Sequence, residues 1–176
     1  FEGMRVSVSG SGNVAQYAVE KALALGAKVL TVSDSSGTVY DKDGFTTEKL
    51  ATLMEIKNHK YGRVNDYAAL VGAEFMPGKT PWHIAVDIAL PCATQNELSA
   101  ADAAMLIKNG VVCVAEGANM PATIEAAKAF EAAGVLYAPG KASNAGGVAT
   151  SGLEMSQNAA RLSWPVEEVD ARLLQI

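Results

Sequence analysis

The strongest constraint on the fold is the stretch from Val6 to Ala15, where an alternating apolar run ends in closely spaced glycines and a helical pattern follows. The spacing is G-x-G-x-x-A, with Gly10, Gly12 and Ala15 at its fixed positions. The first glycine permits a tight turn, the second lets the backbone approach a pyrophosphate, and the alanine lets the helix pack closely on the strand. The stretch therefore predicts a strand, a turn and a helix whose N-terminus binds a dinucleotide.

An acidic residue follows the next predicted strand. Asp34 lies about twenty residues beyond the glycines, where a carboxylate commonly binds the ribose hydroxyls of the adenosine half. It is flanked by Ser33 and Ser35, and residues of this kind also form turns. A cofactor role and a purely structural role for Asp34 both stay open.

Composition argues against several classes of protein. The chain has 176 residues, a formal net charge of −5 and no apolar run near the roughly 20 residues of a membrane span. Binding of nucleic acid without sequence preference needs a basic surface, which this charge does not favour. Cys92 and Cys113 lack metal-ligand spacing, so we expect reduced thiols and no metal site. The composition predicts a cytoplasmic protein without a nucleic-acid or membrane partner.

The order of predicted elements indicates an α/β fold. Predicted strands cover residues 5–9, 28–33, 85–90, 111–115 and 135–137, and predicted helices cover residues 13–25, 46–60, 65–71, 100–109, 121–133, 151–162 and 165–174. We expect a hairpin or loop around Asp43-Gly44 and a loop at 77–81, and residues 139–148 are too rich in glycine for a helix. This order predicts a doubly wound, mostly parallel, Rossmann-like sheet with helices on both faces in three layers.

Within this fold, residues 1–150 would form the sheet core of a single domain and residues 151–176 its C-terminal helices. On the first helix, the spacing predicts an apolar stripe formed by Val14, Tyr17, Ala18, Ala22 and Leu25. Ligands bind at the carboxyl ends of such strands, and the loops predicted there are residues 10–12, 34, 93–94, 116–119 and 143–144. We expect these loops to converge along one edge of the sheet.

Basic residues crowd the end of the predicted helix 46–60. Lys57, Lys60 and Arg63 are ordinarily explained by the helix dipole and by solvent. Alternatively they reach the 2′-phosphate of NADP, because a phosphate near the ionised Asp34 needs compensating cations. The sequence leaves both explanations open.

Four longer motifs carry a resemblance to a known family. They are VSGSGNVA at 8–15, LPCATQNE at 90–97, AEGANMP at 115–121 and NAGGVATSGLEM at 144–155. Together they resemble the cofactor-binding domain of the glutamate dehydrogenases, especially the hexameric NADP-linked bacterial enzymes. The resemblance implies reversible oxidative deamination of L-glutamate to 2-oxoglutarate and ammonia, with hydride transfer to or from the nicotinamide.

The resemblance also implies roles for single residues. Gly12, Asn13 and Val14 would lie at the pyrophosphate, and Ala93 and Thr94 would flank the adenosine side. Asn119 would lie near the nicotinamide ribose, Asn144 would hold the carboxamide, and Val148 and Ser151 would reach the amino-acid substrate. The candidate coenzyme-binding residues are Gly10, Ser11, Gly12, Asn13, Val14, Ser33, Asp34, Ser35, Lys57, Lys60, Arg63, Ala93, Thr94, Gly117, Asn119 and Asn144.

We expect the coenzyme to be NADP rather than NAD, because the basic group and the NADP-linked relatives outweigh the preference of Asp34 for NAD. The family's catalytic lysine and acid/base aspartate belong to an N-terminal substrate domain that this chain, which begins at Phe1 as if cut from a larger protein, does not contain. We therefore assign no catalytic residue here, and Lys79 and Lys141 are expected to be solvated charges. The chain alone should bind NADP without turning over glutamate, and its parent enzyme should be a homohexamer.

Two other functions share the glycine turn. A non-catalytic module that senses NAD(P), or a methyltransferase, would also place a nucleotide at this turn. Neither has a use for carboxamide and substrate contacts in residues 144–151. That segment therefore favours the dehydrogenase.

Overall fold

The computed structural model describes residues 1–176 and contains one sheet of seven strands. The strands are Arg5–Val8 (β1), Lys28–Asp34 (β2), Gly37–Tyr40 (β3), Glu74–Pro77 (β4), Ile88–Leu90 (β5), Cys113–Ala115 (β6) and Leu136–Ala138 (β7). Their order across the sheet is β4-β3-β2-β1-β5-β6-β7. Strands β2, β1, β5, β6 and β7 pair in parallel, whereas β3 is antiparallel to β2 and β4. The predicted doubly wound, mostly parallel sheet is confirmed.

Helices cover both faces of this sheet. They are Asn13–Ala24 (α1), Thr47–Met54 (α2), Val64–Val71 (α3), Ala100–Lys108 (α4), Ile124–Ala132 (α5), Gly140–Ser143 (α6), Ala145–Ala160 (α7) and Val166–Leu173 (α8), with a π-helix at Glu55–His59 and a 3₁₀ helix at Pro81–His83. One apolar cluster packs under α1, α2 and α3, and a second packs under α4, α5 and the 3₁₀ helix. Successive residues Val29 and Leu30 of β2 belong to different clusters, which places the clusters on opposite faces. No helix combines the length and the apolar character that a membrane crossing requires.

Hydroxyl groups join the centre of the sheet. The register of β1 against β2 shifts between Val6 and Ser7. Next to this irregularity, Thr31 Oγ1 accepts a hydrogen bond from the N–H of Val8 and donates one to the Val8 carbonyl, both at 3.0 Å. Ser7 Oγ lies 3.2 Å from the same hydroxyl, and Ser7 and Thr31 are fully buried. Buried side-chain bonds therefore replace part of the ladder just before the glycine turn.

An ion pair joins β1 to the start of β5 at the opposite end of the strands. The Arg5 guanidinium donates to both carboxylate oxygens of Asp87, at 2.8 and 3.2 Å, and the Arg5 N–H also donates, at 2.8 Å. These hydrogen bonds hold the pKa of Asp87 below its ordinary value. Asp87 therefore has a defined partner, which its position in an apolar stretch alone does not reveal. The predicted strand at 85–90 is shorter in the structure, where β5 covers Ile88–Leu90.

The first chain reversal differs from the prediction. The hairpin or loop expected around Asp43-Gly44 is a loop, closed by a hydrogen bond from the Gly44 N–H to the Asp41 carbonyl, and the hairpin itself turns earlier, at Ser35 and Ser36 between β2 and β3. The Asp34 carboxylate accepts hydrogen bonds from both the N–H and the hydroxyl of Ser36, which stabilises a turn at this earlier point. The predicted loop at 77–81 overlaps the end of β4, an additional strand that pairs with β3.

Helix boundaries differ at three places. The helix predicted at 46–60 ends as the π-helix, and α5 begins at 124 because Thr123 Oγ1 accepts a hydrogen bond from the N–H of Ala126 as its N-cap. Residues 139–148, predicted to lack a helix, form α6 and the start of α7. Each glycine costs a helix only about 1 kcal/mol relative to alanine. The 16-residue helix α7 therefore forms in spite of the glycines that it contains. Neither α7 nor α8 contains a buried residue.

Candidate functional site

A cavity of about 620 Å³, here called the main cavity, opens along the carboxyl ends of β1, β2 and β5. Several predicted coenzyme residues line it, namely Gly10, Ser11, Gly12, Asn13, Val14, Ser33, Asp34, Ser35, Lys57, Ala93 and Thr94. The remaining lining residues are Lys79, Thr80, Pro81, Cys92 and Glu97. The carboxyl ends of parallel strands therefore bring together loops that are far apart in the sequence.

The glycine turn leaves room for a ligand. Gly10 has a φ of +82°, and a Cβ there would lie 2.8 Å from the carbonyl oxygen of Cys92, so only glycine fits. A Cβ on Gly12 would meet no atom within 4 Å. Gly12 is also the N-cap of α1, which has no side-chain cap and no acidic residue in its first turn. The first N–H groups of α1 therefore suit a phosphate, which the helix dipole also favours.

Asp34 lines the main cavity and also shapes the chain around it. One carboxylate oxygen accepts hydrogen bonds from Ser36, and the other accepts the N–H of Val64 at 3.1 Å and lies 3.5 Å from Lys57 Nζ. Burial opposes ionisation of this carboxyl, but the hydrogen bonds and the charge of Lys57 together hold its pKa below the ordinary value. Asp34 is therefore a charged residue of the cavity and a turn-forming residue at once.

Of the three predicted cations, Lys57 lines the main cavity, and Arg63 lies beside it without lining it. Lys57 comes from the π-helix, and its Nζ also donates to the Gly62 carbonyl at 3.0 Å. Arg63 Nη1 donates to Ser35 Oγ at 2.7 Å, so the guanidinium contacts a residue of the cavity wall. Lys60 instead lies 3.9 Å from the exposed Glu55 and does not line the cavity. Lys79, assigned to solvent from the sequence, lines the cavity although it is exposed.

A second cavity of about 460 Å³, here called the β6–β7 cavity, lies at the carboxyl ends of β6 and β7. Glu116, Asn119, Tyr137 and Lys141 are among its lining residues. Asn144 lies beside it, and its Nδ2 donates to the carbonyl of Ala118 at 2.9 Å. The predicted nicotinamide-side residues Asn119 and Asn144 therefore belong to one neighbourhood.

A line of hydrogen bonds runs along the edge of the sheet between these cavities. Its members are Gly10 N–H to Ser33 Oγ (2.8 Å), Cys92 N–H to Ser9 Oγ (2.9 Å), Gly117 N–H to Pro91 O (3.0 Å) and Asn144 Nδ2 to Ala118 O (2.9 Å). Gly117 is packed closely, since a Cβ there would lie 2.6 Å from the Cys92 sulfur. Gly12, Asn119 and Asn144 thus lie along the same edge.

This arrangement agrees with a comparison of the whole chain with known proteins. The sequence model of the Glutamate/Leucine/Phenylalanine/Valine dehydrogenase family matches residues 1–176. The chain belongs to this family. The resemblance carried by the four motifs is thereby confirmed.

Relatives in the dehydrogenase family are close in sequence. The NADP-specific glutamate dehydrogenases of Haemophilus influenzae and Escherichia coli are each 69% identical over 176 residues. The match covers all of this chain but 39% of each of those proteins. The chain therefore spans well under half the length of these curated relatives.

Solved structures of dehydrogenases show the same architecture. Plasmodium falciparum glutamate dehydrogenase is 48% identical and superposes with a TM-score of 0.92, over 97% of this chain and 37% of that protein. A hetero-hexameric glutamate dehydrogenase from Thermus thermophilus is 24% identical with a TM-score of 0.76, over 98% and 38% of the two chains. At that lower identity the likeness concerns the fold alone.

The predicted substrate residues of this dehydrogenase-family chain lie apart from both cavities. Val148 is 73% exposed on α7, and Ser151 Oγ donates to the Gly147 carbonyl of its own helix at 3.2 Å. Neither residue lines the main cavity or the β6–β7 cavity. The chain alone therefore does not bring these two side chains together with the predicted coenzyme residues.

Sequence reasoning missed several residues of the cavity walls. Lys79, Thr80 and Pro81 reach the main cavity only because β4 pairs with β3, and no local pattern reports that pairing. Glu97 lies inside one of the four motifs, and burial raises its pKa despite the hydrogen bond from the Ala93 N–H. Burial likewise raises the pKa of the Cys92 thiol to about 12, so this cysteine is not a reactive thiolate at neutral pH.

Proposed function

We propose that the chain is the coenzyme-binding part of an NADP-dependent glutamate dehydrogenase, which converts L-glutamate, NADP and water reversibly into 2-oxoglutarate, ammonia and NADPH. The observation that carries this proposal is the combination, along one sheet edge, of an uncapped glycine turn with the cations Lys57 and Arg63. The relatives at 69% identity, whose names specify NADP, support it. When bound, the coenzyme supplies a nicotinamide ring that accepts or donates a hydride.

The glycine turn would hold the pyrophosphate. Gly12 brings the backbone to the cavity surface without a side chain, and Asn13 and Val14 begin α1 with N–H groups that no side chain caps. Backbone donors suit phosphate oxygens because they are fixed before binding and carry no counter-charge to be desolvated. Ala93 and Thr94, at the end of β5, would flank the adenosine half on the other wall.

The choice of NADP over NAD rests on the charge balance around Asp34. Hydrogen bonds from Ser36 and Val64 already engage this carboxylate, and Lys57 Nζ lies 3.5 Å away. A phosphate on the adenosine ribose would therefore meet a compensated carboxylate together with Lys57 and Arg63. Charge-assisted hydrogen bonds from these cations favour the doubly charged 2′-phosphate.

The nicotinamide half would lie at the far end of the same edge. Asn119 and Asn144 offer amides that orient a ribose and a carboxamide without adding a charge. Val148 and Ser151 would approach the amino acid only when the remainder of the enzyme, supplied outside this chain, provides the catalytic lysine and aspartate. We therefore propose that the chain alone binds NADPH but does not oxidise glutamate, and that the complete enzyme is a cytoplasmic homohexamer.

Parallel titrations with NADPH and NADH test the proposal. We expect NADPH to bind more tightly, and the double variant Lys57→Ala, Arg63→Ala to lose roughly 10- to 100-fold in NADPH affinity because charged hydrogen bonds disappear. NADH affinity should stay nearly constant. Lys60→Ala is the matched control, since the Lys60 ammonium lies near the exposed Glu55, whereas Arg63 is hydrogen-bonded to Ser35 of the cavity wall.

An unchanged NADPH-to-NADH affinity ratio in the double variant would overturn the assignment of NADP. Binding of both nucleotides with equal affinity by the parent chain would favour a general NAD(P)-binding module. Glutamate-dependent reduction of NADP by the chain alone would contradict its proposed inactivity.

A further inference from the structure

Glu116 is a buried carboxylate that joins three segments of the chain. Its side chain accepts hydrogen bonds from the Tyr137 hydroxyl at 2.6 Å, the Gly140 N–H at 2.7 Å and the Ala122 N–H at 3.3 Å. These donors belong to β7, to the start of α6 and to the loop before α5. Glu116 is 3% exposed, and a carboxylate so buried is costly unless it is fully hydrogen-bonded. The Glu116 carboxylate and its three donors therefore form a specific hydrogen-bonded junction between these segments.

The same residue also binds the other end of α6. The Glu116 backbone carbonyl accepts a hydrogen bond from Ser143 Oγ at 2.6 Å, so Glu116 contacts α6 at Gly140 and at Ser143. Asn144 follows Ser143 directly. On the other side of the junction, Asn119 lies three residues after Glu116 in the same loop. Glu116 thus stands between the two amides assigned to the nicotinamide half.

Close packing leaves little freedom at this junction. A Cβ added to Gly140 would lie 3.0 Å from the Ala118 carbonyl oxygen and 3.3 Å from Glu116 Oε2. The Ala118 carbonyl also accepts the hydrogen bond from Asn144 Nδ2. A shift of the loop at 116–119 would therefore move both the partner of Asn144 and the backbone that carries Asn119.

We propose that Glu116 is a positioning residue for the nicotinamide half of the coenzyme. Its carboxylate holds the loop at 116–119 against α6 so that the side chains of Asn119 and Asn144 keep one spacing. This inference rests on the function proposed above. Glu116 acts through the two asparagines, which make the contacts to the coenzyme.

The chemistry of the junction requires a carboxylate. Both oxygens act as acceptors, and the donors include two backbone N–H groups that cannot reverse their direction. Burial and the neighbouring Glu116 raise the pKa of Tyr137, which keeps its phenol protonated as a donor. A glutamine at position 116 would offer one acceptor oxygen and turn an NH₂ group toward a donor. Glu116→Gln is thus a nearly isosteric change that breaks the junction.

The two halves of the coenzyme can be tested separately, because Glu116 does not line the main cavity. The probes are NADPH, which spans both halves, and adenosine 2′,5′-bisphosphate, which represents only the adenosine half. Titration calorimetry measures both affinities, and the fluorescence of bound NADPH reports on the surroundings of the nicotinamide. A merely structural role would weaken both probes together.

In Glu116→Gln we expect NADPH affinity to fall roughly tenfold or more, with altered nicotinamide fluorescence, while the affinity for adenosine 2′,5′-bisphosphate stays within about twofold. Tyr137→Phe removes one donor and retains the ring, so it should cause a smaller loss of the same kind. Glu20→Gln, on the exposed side of α1, is the matched control and should change neither affinity.

Equal weakening of both probes in Glu116→Gln and in Tyr137→Phe would overturn the inference. An unchanged NADPH affinity in a folded Glu116→Gln would also overturn it, while leaving the proposed function intact. A parent chain that binds neither probe would overturn the proposed function and this inference with it.

Discussion

At the scale of single residues, the hydroxyl of Thr31 replaces the backbone hydrogen-bond partners of a β1 residue where β1 and β2 lose their regular register. It bonds both the N–H and the carbonyl of Val8, and all these groups are buried. A buried backbone donor left without a partner costs about 1–3 kcal/mol. The Thr31 side chain therefore contributes to the stability of the protein and also fixes the backbone that leads into the glycine turn.

Thr31→Val retains the volume of the side chain and removes the hydroxyl. We expect the free energy of unfolding to fall by about 1–3 kcal/mol, because the Val8 N–H loses its partner. Urea unfolding followed by far-ultraviolet circular dichroism measures this change. Thr52→Val makes the same chemical change on a half-buried helix position and should stay within about 0.5 kcal/mol. A Thr31→Val protein as stable as the parent would contradict the prediction.

Some site residues could be identified from spacing alone, and others could not. Gly10, Gly12 and Asp34 follow a local pattern, since one strand–turn–helix–strand unit fixes their separation. Lys79 enters the main cavity through the pairing of β4 with β3, which involves segments far apart in sequence. Glu116 resembles any acidic residue after a strand, and only the packing of β7 and α6 around it reveals its hydrogen-bond partners.

At the scale of secondary structure, the π-helix at Glu55–His59 connects two parts of the main cavity. It carries Lys57, which lies near Asp34. Its Asn58 forms a reciprocal amide pair with Gln16 of α1, at 2.9 and 3.0 Å. Gln16 is 1% exposed and also donates to the Ser11 carbonyl at 2.8 Å. The glycine turn and the cationic end are therefore mechanically linked.

Asn58→Ala removes the amide pair and leaves Lys57 in place. We expect NADPH affinity to fall roughly three- to tenfold, since a net hydrogen bond contributes about 0.5–1.5 kcal/mol to holding the π-helix. NADH affinity should change less. The control is His59→Ala, an exposed neighbour in the same π-helix. An NADPH-to-NADH ratio that does not move in parallel titrations would argue against the link.

Local periodicity located α1 correctly but placed only part of the predicted stripe on the buried face, namely Ala22, with Ala18 half-buried. The predicted stripe included Val14, Tyr17 and Leu25, which are all exposed. The buried side of α1 is formed by Ala15, Gln16, Val19 and Ala22. Small side chains lie against the sheet because the third position of the glycine motif requires close packing. Hydrophobicity alone therefore favours the larger side chains and misplaces part of the face.

At the scale of the whole molecule, stability is concentrated in the sheet and its covering helices. The two apolar clusters draw on β1 to β7 and α1 to α5, whereas α7 and α8 contribute no buried residue. The last helix is held locally, with the Arg172 guanidinium 4.0 Å above the Trp164 ring. Parallel strands with covering helices leave few topologies, so the fold class follows from the element order. The antiparallel edge formed by β3 and β4 does not follow from the element order.

Removal of residues 162–176 should lower the free energy of unfolding by less than about 1 kcal/mol, because no buried residue is lost. Phe130→Ala, in the cluster under α4 and α5, should cost about 3–5 kcal/mol by leaving a cavity. The truncation leaves Trp82 as the remaining tryptophan of the chain. Its fluorescence therefore reports unfolding of the truncated protein without a contribution from a second tryptophan. A loss from truncation as large as that of Phe130→Ala would show that the C-terminal helices share in the core.

The outer strand β4 protects the sheet against pairing between molecules. An open strand edge is a template for intermolecular β-structure, and proteins block such edges with short strands, charges and proline. β4 is four residues long, begins at the exposed Glu74 and ends at Pro77, which has no N–H to donate. The strand that brings Lys79 to the main cavity thus also terminates the sheet and guards the chain against aggregation.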